Sequence, residues 1–343
     1  MAYTTINKST DQFITHLYTG NDSTNNQTSL GMTPDLVWVK CRNNSTPSHY
    51  WVDKVRGDKK YISSNLTASE STDSNTFDLV SGGFNLAGGN GWTNVSGRNY
   101  VAWNWKAGGA GSANTDGSIN TTATSVNTTA GFSISTYTGT GSAATIGHGL
   151  GVKPSMIIVK NLSSSSYGWY VYHKSIAATH EILLNSSSAK DTTSQWNDTE
   201  PTSSVFSVGT AAATNGSGNN LVAYCFAEKT GYSKFGSYKG NGNADGTFVY
   251  TGFKPAFVII KATNAGENWF ICDNKREGYN AENNRLIPNL NNAEQSDSPI
   301  DILSNGFKAR ETSSKVNGSN EPYIYMVFGQ SLVGSNNVPC TAR

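Results

Sequence analysis

An all-β fold, built as three tandem antiparallel β-sandwich repeats, is what this sequence predicts. Three observations point there. The chain repeats itself: Tyr18-Thr19-Gly20, Tyr137-Thr138-Gly139 and Tyr238-Lys239-Gly240 are each followed by a proline (Pro34, Pro154, Pro255). A lysine stands six residues beyond each proline, at Lys40, Lys160 and Lys261. The residues between read DLVWV, SMIIV and AFVII, continuous apolar runs that suit a strand buried on both faces. Elsewhere short runs of Trp, Tyr, Phe, Val and Ile are bounded by Gly, Asn and Ser, the turn chemistry of an all-β chain. A period of about a hundred residues means repeated small domains, because solenoid units are nearer 20–50 residues.

Each repeat reads as the same series of strands. An entry strand runs to Tyr18, Tyr137 or Tyr238 and leads into a polar hairpin loop. The proline-led strand follows; proline is tolerated at a strand mouth, where no ladder bond is yet required of its nitrogen. A tryptophan-bearing strand comes next, at Trp51-Val52-Asp53, Trp169-Tyr170-Val171-Tyr172 and Trp269-Phe270-Ile271-Cys272-Asp273. Then come Phe77-Asp78-Leu79, Val205-Phe206-Ser207-Val208 and Ile300-Asp301-Ile302-Leu303, with a Gly-Phe pair (Gly83-Phe84, Gly306-Phe307) after the first and third. An asparagine (Asn94, Asn215, Asn317) precedes each closing strand, which reads YVAWNW, LVAYCF or YIYMVF. No segment shows a capped helical period; residues 175–184 are the best helical candidate.

These marks divide the chain. Residues 1–12 read as an N-terminal attachment segment, 13–108 as the first sandwich, 109–130 as a Gly/Ser/Thr-rich linker, 131–232 as the second sandwich, 233–331 as the third, and 332–343 as a tail. The short connection after Phe226 makes repeats two and three a stiff pair, with the first set apart. On that division residues 132–343 should fold when expressed alone.

Composition excludes several classes of function. Lys and Arg (25) balance Asp and Glu (24) at 14% charged residues, so no basic field exists for nucleic acid. No apolar stretch reaches the roughly 18 residues of a membrane span. The opening MAYTTINKST lacks the charged-then-apolar pattern of a secretory signal. Cys41, Cys225, Cys272 and Cys340 are scattered, form no CxxC pair and read as reduced thiols. No metal site is expected, since His173 and His180 stand seven apart and His148 lies alone in a loop. No cofactor motif occurs, and the acidic residues stand singly rather than as the facing pair that glycoside cleavage requires. No catalytic residue is expected.

Two kinds of candidate remain. Asp53 with Arg56, and Asp273 with Arg276, read as carboxylate–guanidinium pairs that stabilise a turn. The second repeat has His173-Lys174 there instead. Trp92 and Trp196 sit in polar loops, GGNGWTNVSG and TTSQWNDTEP. An exposed tryptophan among amides suits stacking on a sugar ring; the competing reading tucks each ring onto its own sandwich.

The strings GFKPAFVIIK, NLVAYCFAEKTGYSKFGSYKGNG and NYVAWNWKAGG, with the closing Val338-Pro339-Cys340-Thr341-Ala342-Arg343, resemble the repeat domain of tailed-bacteriophage structural proteins of the marine and cyanophage type. The resemblance covers about residues 13–343, and its motifs are strand and turn motifs. It implies a non-enzymatic virion component made in the bacterial cytoplasm. That component would be a tail fibre or spike, homotrimeric, adhering to a host glycan or surface protein and contacting other virion proteins. A capsid head fibre or decoration protein and a polysaccharide depolymerase are the alternatives.

Overall fold

The computed structural model describes residues 4–73, 77–88, 91–277, 280, 284–297 and 299–330. Strands dominate, and one strand order occurs three times. In unit 1 an inner sheet runs Phe13–Thr19, Asn99–Trp105, Leu36–Cys41, Tyr50–Asp53. Unit 2 has Phe132–Thr138, Asn220–Phe226, Met156–Asn161, Trp169–His173 in the same order, and unit 3 has Ser233–Lys239, Pro322–Gln330, Lys254–Ala262, Phe270–Asp273. All neighbours are antiparallel. A small outer sheet lies on each: Asn25–Gln27, Gly83–Leu86, Phe77–Val80 in unit 1; Ala144–Gly147, Val205–Val208 in unit 2; Phe248–Tyr250, Gly306–Ala309, Ile300–Leu303 in unit 3.

Strand alternation sends side chains of each inner sheet into two different cores. Val37, Val39, Tyr100 and Ala102 meet Phe77 and Phe84 in a core private to unit 1. Leu36, Trp38, Trp103 and Trp105 point the other way, into a core shared by all three units. Ile158, Tyr224 and Phe226 of unit 2 and Phe257, Ile259 and Phe328 of unit 3 join them there. Rings touch across every junction: Trp51 on Tyr224 at 5.2 Å, Phe226 on Phe328 at 6.0 Å, Phe13 on Phe328 at 5.4 Å. Burial on both faces is why the proline-led runs carry no polar alternation.

Four expectations are corrected. Unit 1 is not set apart, because Trp38, Trp51, Trp103 and Trp105 help fill the shared core. Nor is 109–130 a linker: Ala123–Asn127 pairs with Phe132–Thr138, and Ile119 is buried in the private core of unit 2. Its hydroxyls are satisfied by the sheet, as in the Thr124–Ser135 contact at 3.0 Å, so a polar composition still folds. Residues 175–184 form a turn and the strand His180–Leu183, whose pairing with Tyr170 and Val171 overrides local helical preference. The described part of the attachment segment is docked: Ile6 lies in the shared core, and the Ser9 N–H donates to Gln330 Oε1 at 2.7 Å. The tail 332–343, with Cys340, lies outside the described residues.

Candidate interaction surfaces

The three units close into a ring through equivalent hydrogen bonds that always run from one unit to the next. The backbone N–H of Glu70 donates to Leu162 O (3.0 Å), that of Lys190 to Thr263 O (2.8 Å), and that of Glu294 to Arg42 O (2.7 Å). The third bond returns from unit 3 to unit 1 and completes the circle. A second set starts at the tryptophan strand. Trp169 Nε1 donates to Ser63 O (3.0 Å), Trp269 Nε1 to Leu183 O (2.8 Å), and His49 Nε2 to Ile287 O (2.9 Å). The His49 Nδ1 accepts from Trp38 Nε1 at 2.8 Å, which fixes the proton on Nε2. Pairing with the proline-led strand therefore places His49, not Trp51, opposite Trp169 and Trp269 in the threefold pattern.

The predicted turn pairs form the third set. Asp53 Oδ2 accepts from Arg56 Nε (2.5 Å) and from Tyr224 OH of unit 2 (2.7 Å). Asp273 Oδ2 accepts from Arg276 Nε (2.7 Å) and from Trp103 Nε1 of unit 1 (3.0 Å). Both carboxylates are fully buried and tie two units together besides bonding turn amides. At the remaining junction the partner strand carries Met326 where the others carry Tyr224 and Trp103. Methionine has no proton to give, so a carboxylate there would be stranded. His173 stands in its place and donates Nε2–H to Tyr325 O at 3.2 Å, while its Nδ1 accepts from the Ser175 N–H. Burial, reinforced by Lys174, pushes the His173 imidazole down to about 4, so it stays neutral.

Repeat marks noticed only as punctuation turn out to be structural. Lys40, Lys160 and Lys261 are buried with their ammonium groups on backbone carbonyls. Lys160 reaches Thr67 O of unit 1 (2.9 Å) and Lys261 reaches Ser187 O of unit 2 (3.2 Å). Burial pushes each lysine down to about 8. Asn94, Asn215 and Asn317 are also buried and bind the entry hairpins through both amide ends. The hydroxyls of Tyr18, Tyr137 and Tyr238 donate to the carbonyl just before each asparagine, all at 2.7 Å. Gly20 and Gly240 recur because a Cβ there would lie 2.2 Å from the Val95 or Gly318 carbonyl oxygen.

Of the two loop tryptophans, Trp196 is 2% exposed and packs on Tyr172 in the unit 2 core, which removes it as a sugar platform. Trp92 is 37% exposed. Two aromatics that sequence reasoning passed over are more exposed: Phe248 at 44% and Tyr250 at 56%, on one face of the unit 3 outer strand. The Lys234 ammonium sits 5.3 Å from the Tyr250 ring centre and donates to Tyr250 O. Their alternation FVY was the available signal, but a strand with aromatics on one face reads equally as a buried one. The thiols of Cys41, Cys225 and Cys272 are buried, and burial raises each above its ordinary range.

Among the described residues no group of three or more His, Cys, Asp or Glu side chains is placed to hold a metal ion, and no helix is long and apolar enough to cross a membrane. A family model described as a domain of unknown function (DUF7483) matches residues 8–331, and the chain belongs to that family. No curated protein and no solved structure matches the chain.

Proposed function

We propose that this chain is a non-enzymatic structural protein of a tailed-bacteriophage particle, a tail fibre or spike component whose outward loops adhere to the host surface. The observation that carries this reading is the ring itself. Its buried polar groups, Asp53, Asp273, Lys160 and Lys261, are committed to joining units rather than to facing a cleft, and Lys40 is held by carbonyls of its own unit. Such a body holds polar hairpins at fixed spacing. The three internal strings that carry the phage resemblance fall on its inner-sheet strands and the turns beside them, and the closing string lies outside the described residues. The aromatic surface that separate sandwiches would leave for a homotrimer to bury is already buried within one chain. Host glycan or protein would meet the loops, with Trp92 as the remaining stacking candidate; many copies on one particle would add avidity.

The test is competition. Purified chain added to host cells should block phage adsorption, and a labelled chain should sit on the tail by electron microscopy. Labelling on the capsid would favour the head-decoration alternative. Release of new reducing ends from host polysaccharide would overturn the non-enzymatic reading.

A further inference from the structure

The flanks of units 2 and 3 are built alike, but among the described residues only that of unit 2 is covered. In unit 2 the connecting segment 112–127 lies along both sheet edges. Ala123–Asn127 adds a strand beside Phe132–Thr138, and the Ile119 N–H donates to Thr145 O at 3.0 Å on the edge of the outer sheet. Ser118 exchanges two further bonds with Thr145, each 2.9 Å. The segment passes so close to Gly147 that a Cβ there would lie 1.6 Å from Asn114 Oδ1.

In unit 3 the equivalent edges carry no strand among the described residues. The bonds Gly240 N–H to Glu321 O and Gly329 N–H to Tyr232 O set the alternation of the inner ladder. Ser233, Phe235 and Ser237 therefore turn their main-chain groups away from the sheet, as Phe132, Ile134 and Thr136 do toward the added strand in unit 2. Ser233 N–H is taken by Lys229 O, and Phe235 N–H by Glu228 Oε2 at 3.4 Å. Among the described residues nothing bonds the Phe235 C=O or either main-chain group of Ser237, and Ser237 is exposed. On the outer sheet, Phe248 stands where unit 2 has Thr145, and Tyr250 where it has Gly147. The covering segment of unit 2 meets both of these positions and Ile146 between them, and it passes Gly147 too closely for a side chain there, so an occupant of unit 3 must cross the two rings farther out.

We infer that the flank of unit 3 is a strand-acceptor site for an extended, uncharged segment of a partner polypeptide. The segment would add to the Ser233–Lys239 edge as Ala123–Asn127 adds to unit 2, and cross Phe248 and Tyr250 on its way. The covered flank of unit 2 shows the occupant's chemistry: small and β-branched residues with no charge along the paired stretch. Main-chain bonds supply the binding, and the two aromatic rings supply apolar contact. This inference stands apart from the phage reading.

The probe is a synthetic peptide of residues 119–127, which lacks the Asn114 and Ser118 that fit only a glycine and a threonine, added to the full chain. Saturable binding is expected, with slowed amide hydrogen exchange at Ser237. Ser237→Pro removes an N–H that faces outward, a change that edge strands tolerate, and should lower peptide affinity about tenfold with the thermal transition retained. Phe248→Thr with Tyr250→Ser, confined to exposed side chains, should weaken binding by a similar factor and covers the case in which the proline variant fails to fold. Absence of binding at millimolar peptide would overturn the inference. So would a Ser237 amide that exchanges as slowly without peptide as the ladder amides, or protection at Thr15 and Leu17 of unit 1 in place of Ser237.

Discussion

The junction that returns from unit 3 to unit 1 and the junction between units 2 and 3 do the same work with different chemistry. The returning junction carries five linked polar side chains. Glu294 grips Arg42 with both oxygens (2.9 and 3.0 Å) and takes a third bond from Arg276 Nη1 (3.0 Å); Arg276 holds Asp273, which accepts from Trp103. At the equivalent positions the junction between units 2 and 3 has Lys190, Thr263, Ile176, His173 and Met326, and from these positions His173 bonds Tyr325 O across it. The difference teaches what holds the ring. Units 2 and 3 are joined by a short stretch of chain that keeps them together at almost no further entropic cost. Units 3 and 1 have no direct chain connection. The charge network lies where covalent continuity does not help.

Four experiments can break or sharpen that comparison. The largest effect should come from removing unit 1. Residues 132–343 alone should show no cooperative thermal transition, because the shared core loses four tryptophans at once. Next, Asp53→Ala strands buried Arg56 and should cost about 3–5 kcal/mol in urea unfolding. Acid should act third. An imidazole held near 4 in the fold but near its ordinary 6.5 when unfolded gives stability that is complete above 6.5 and lost as pH falls toward 4. For His173 the loss is on the order of 3 kcal/mol, and His173→Gln, which keeps a donor for Tyr325 O, should make that limb of the stability–pH curve shallower, the rest belonging to His49 and His148, which burial also lowers. The smallest effect separates two equivalent glutamates. Glu294→Gln should cost about 2 kcal/mol, since it weakens three charged bonds. Glu70→Gln should cost under about 1 kcal/mol, because Glu70 pairs with the exposed Lys60 at 3.6 Å. Burial raises the Glu294 carboxyl, and Arg42 and Arg276 more than offset this, holding it below the usual range; its contribution should therefore be complete above about pH 4.5 and be lost as the pH falls through the lowered folded value.

Much of the strand pattern was legible because strand chemistry is local. The proline-to-lysine runs and the closing strands fall where residue patterning puts them. How the strands assemble was less legible. Trp51 looks like the counterpart of Trp169 and Trp269, yet it stands two residues before Asp53 while they stand four before His173 and Asp273. Counting back from the acidic position would have found His49. The shared core was hidden for a different reason: apolar residues on both faces of a strand announce two buried faces without saying which unit covers the second. The 109–130 segment misled because Ser, Thr and Asn in a flexible linker and in a hydrogen-bonded edge strand have the same composition. The exposure of Phe248 and Tyr250 depends on a neighbour being absent, which no single segment encodes.

Ring closure is tested most directly at the backbone amide of Glu294, which donates to Arg42 O at 2.7 Å across the junction with no chain connection. Hydrogen exchange on the full chain should slow this amide as much as those of Glu70 and Lys190 at the other two junctions. Exchange of Glu294 at the rate of an open loop, with Glu70 and Lys190 still protected, would mean an open row of units rather than a ring.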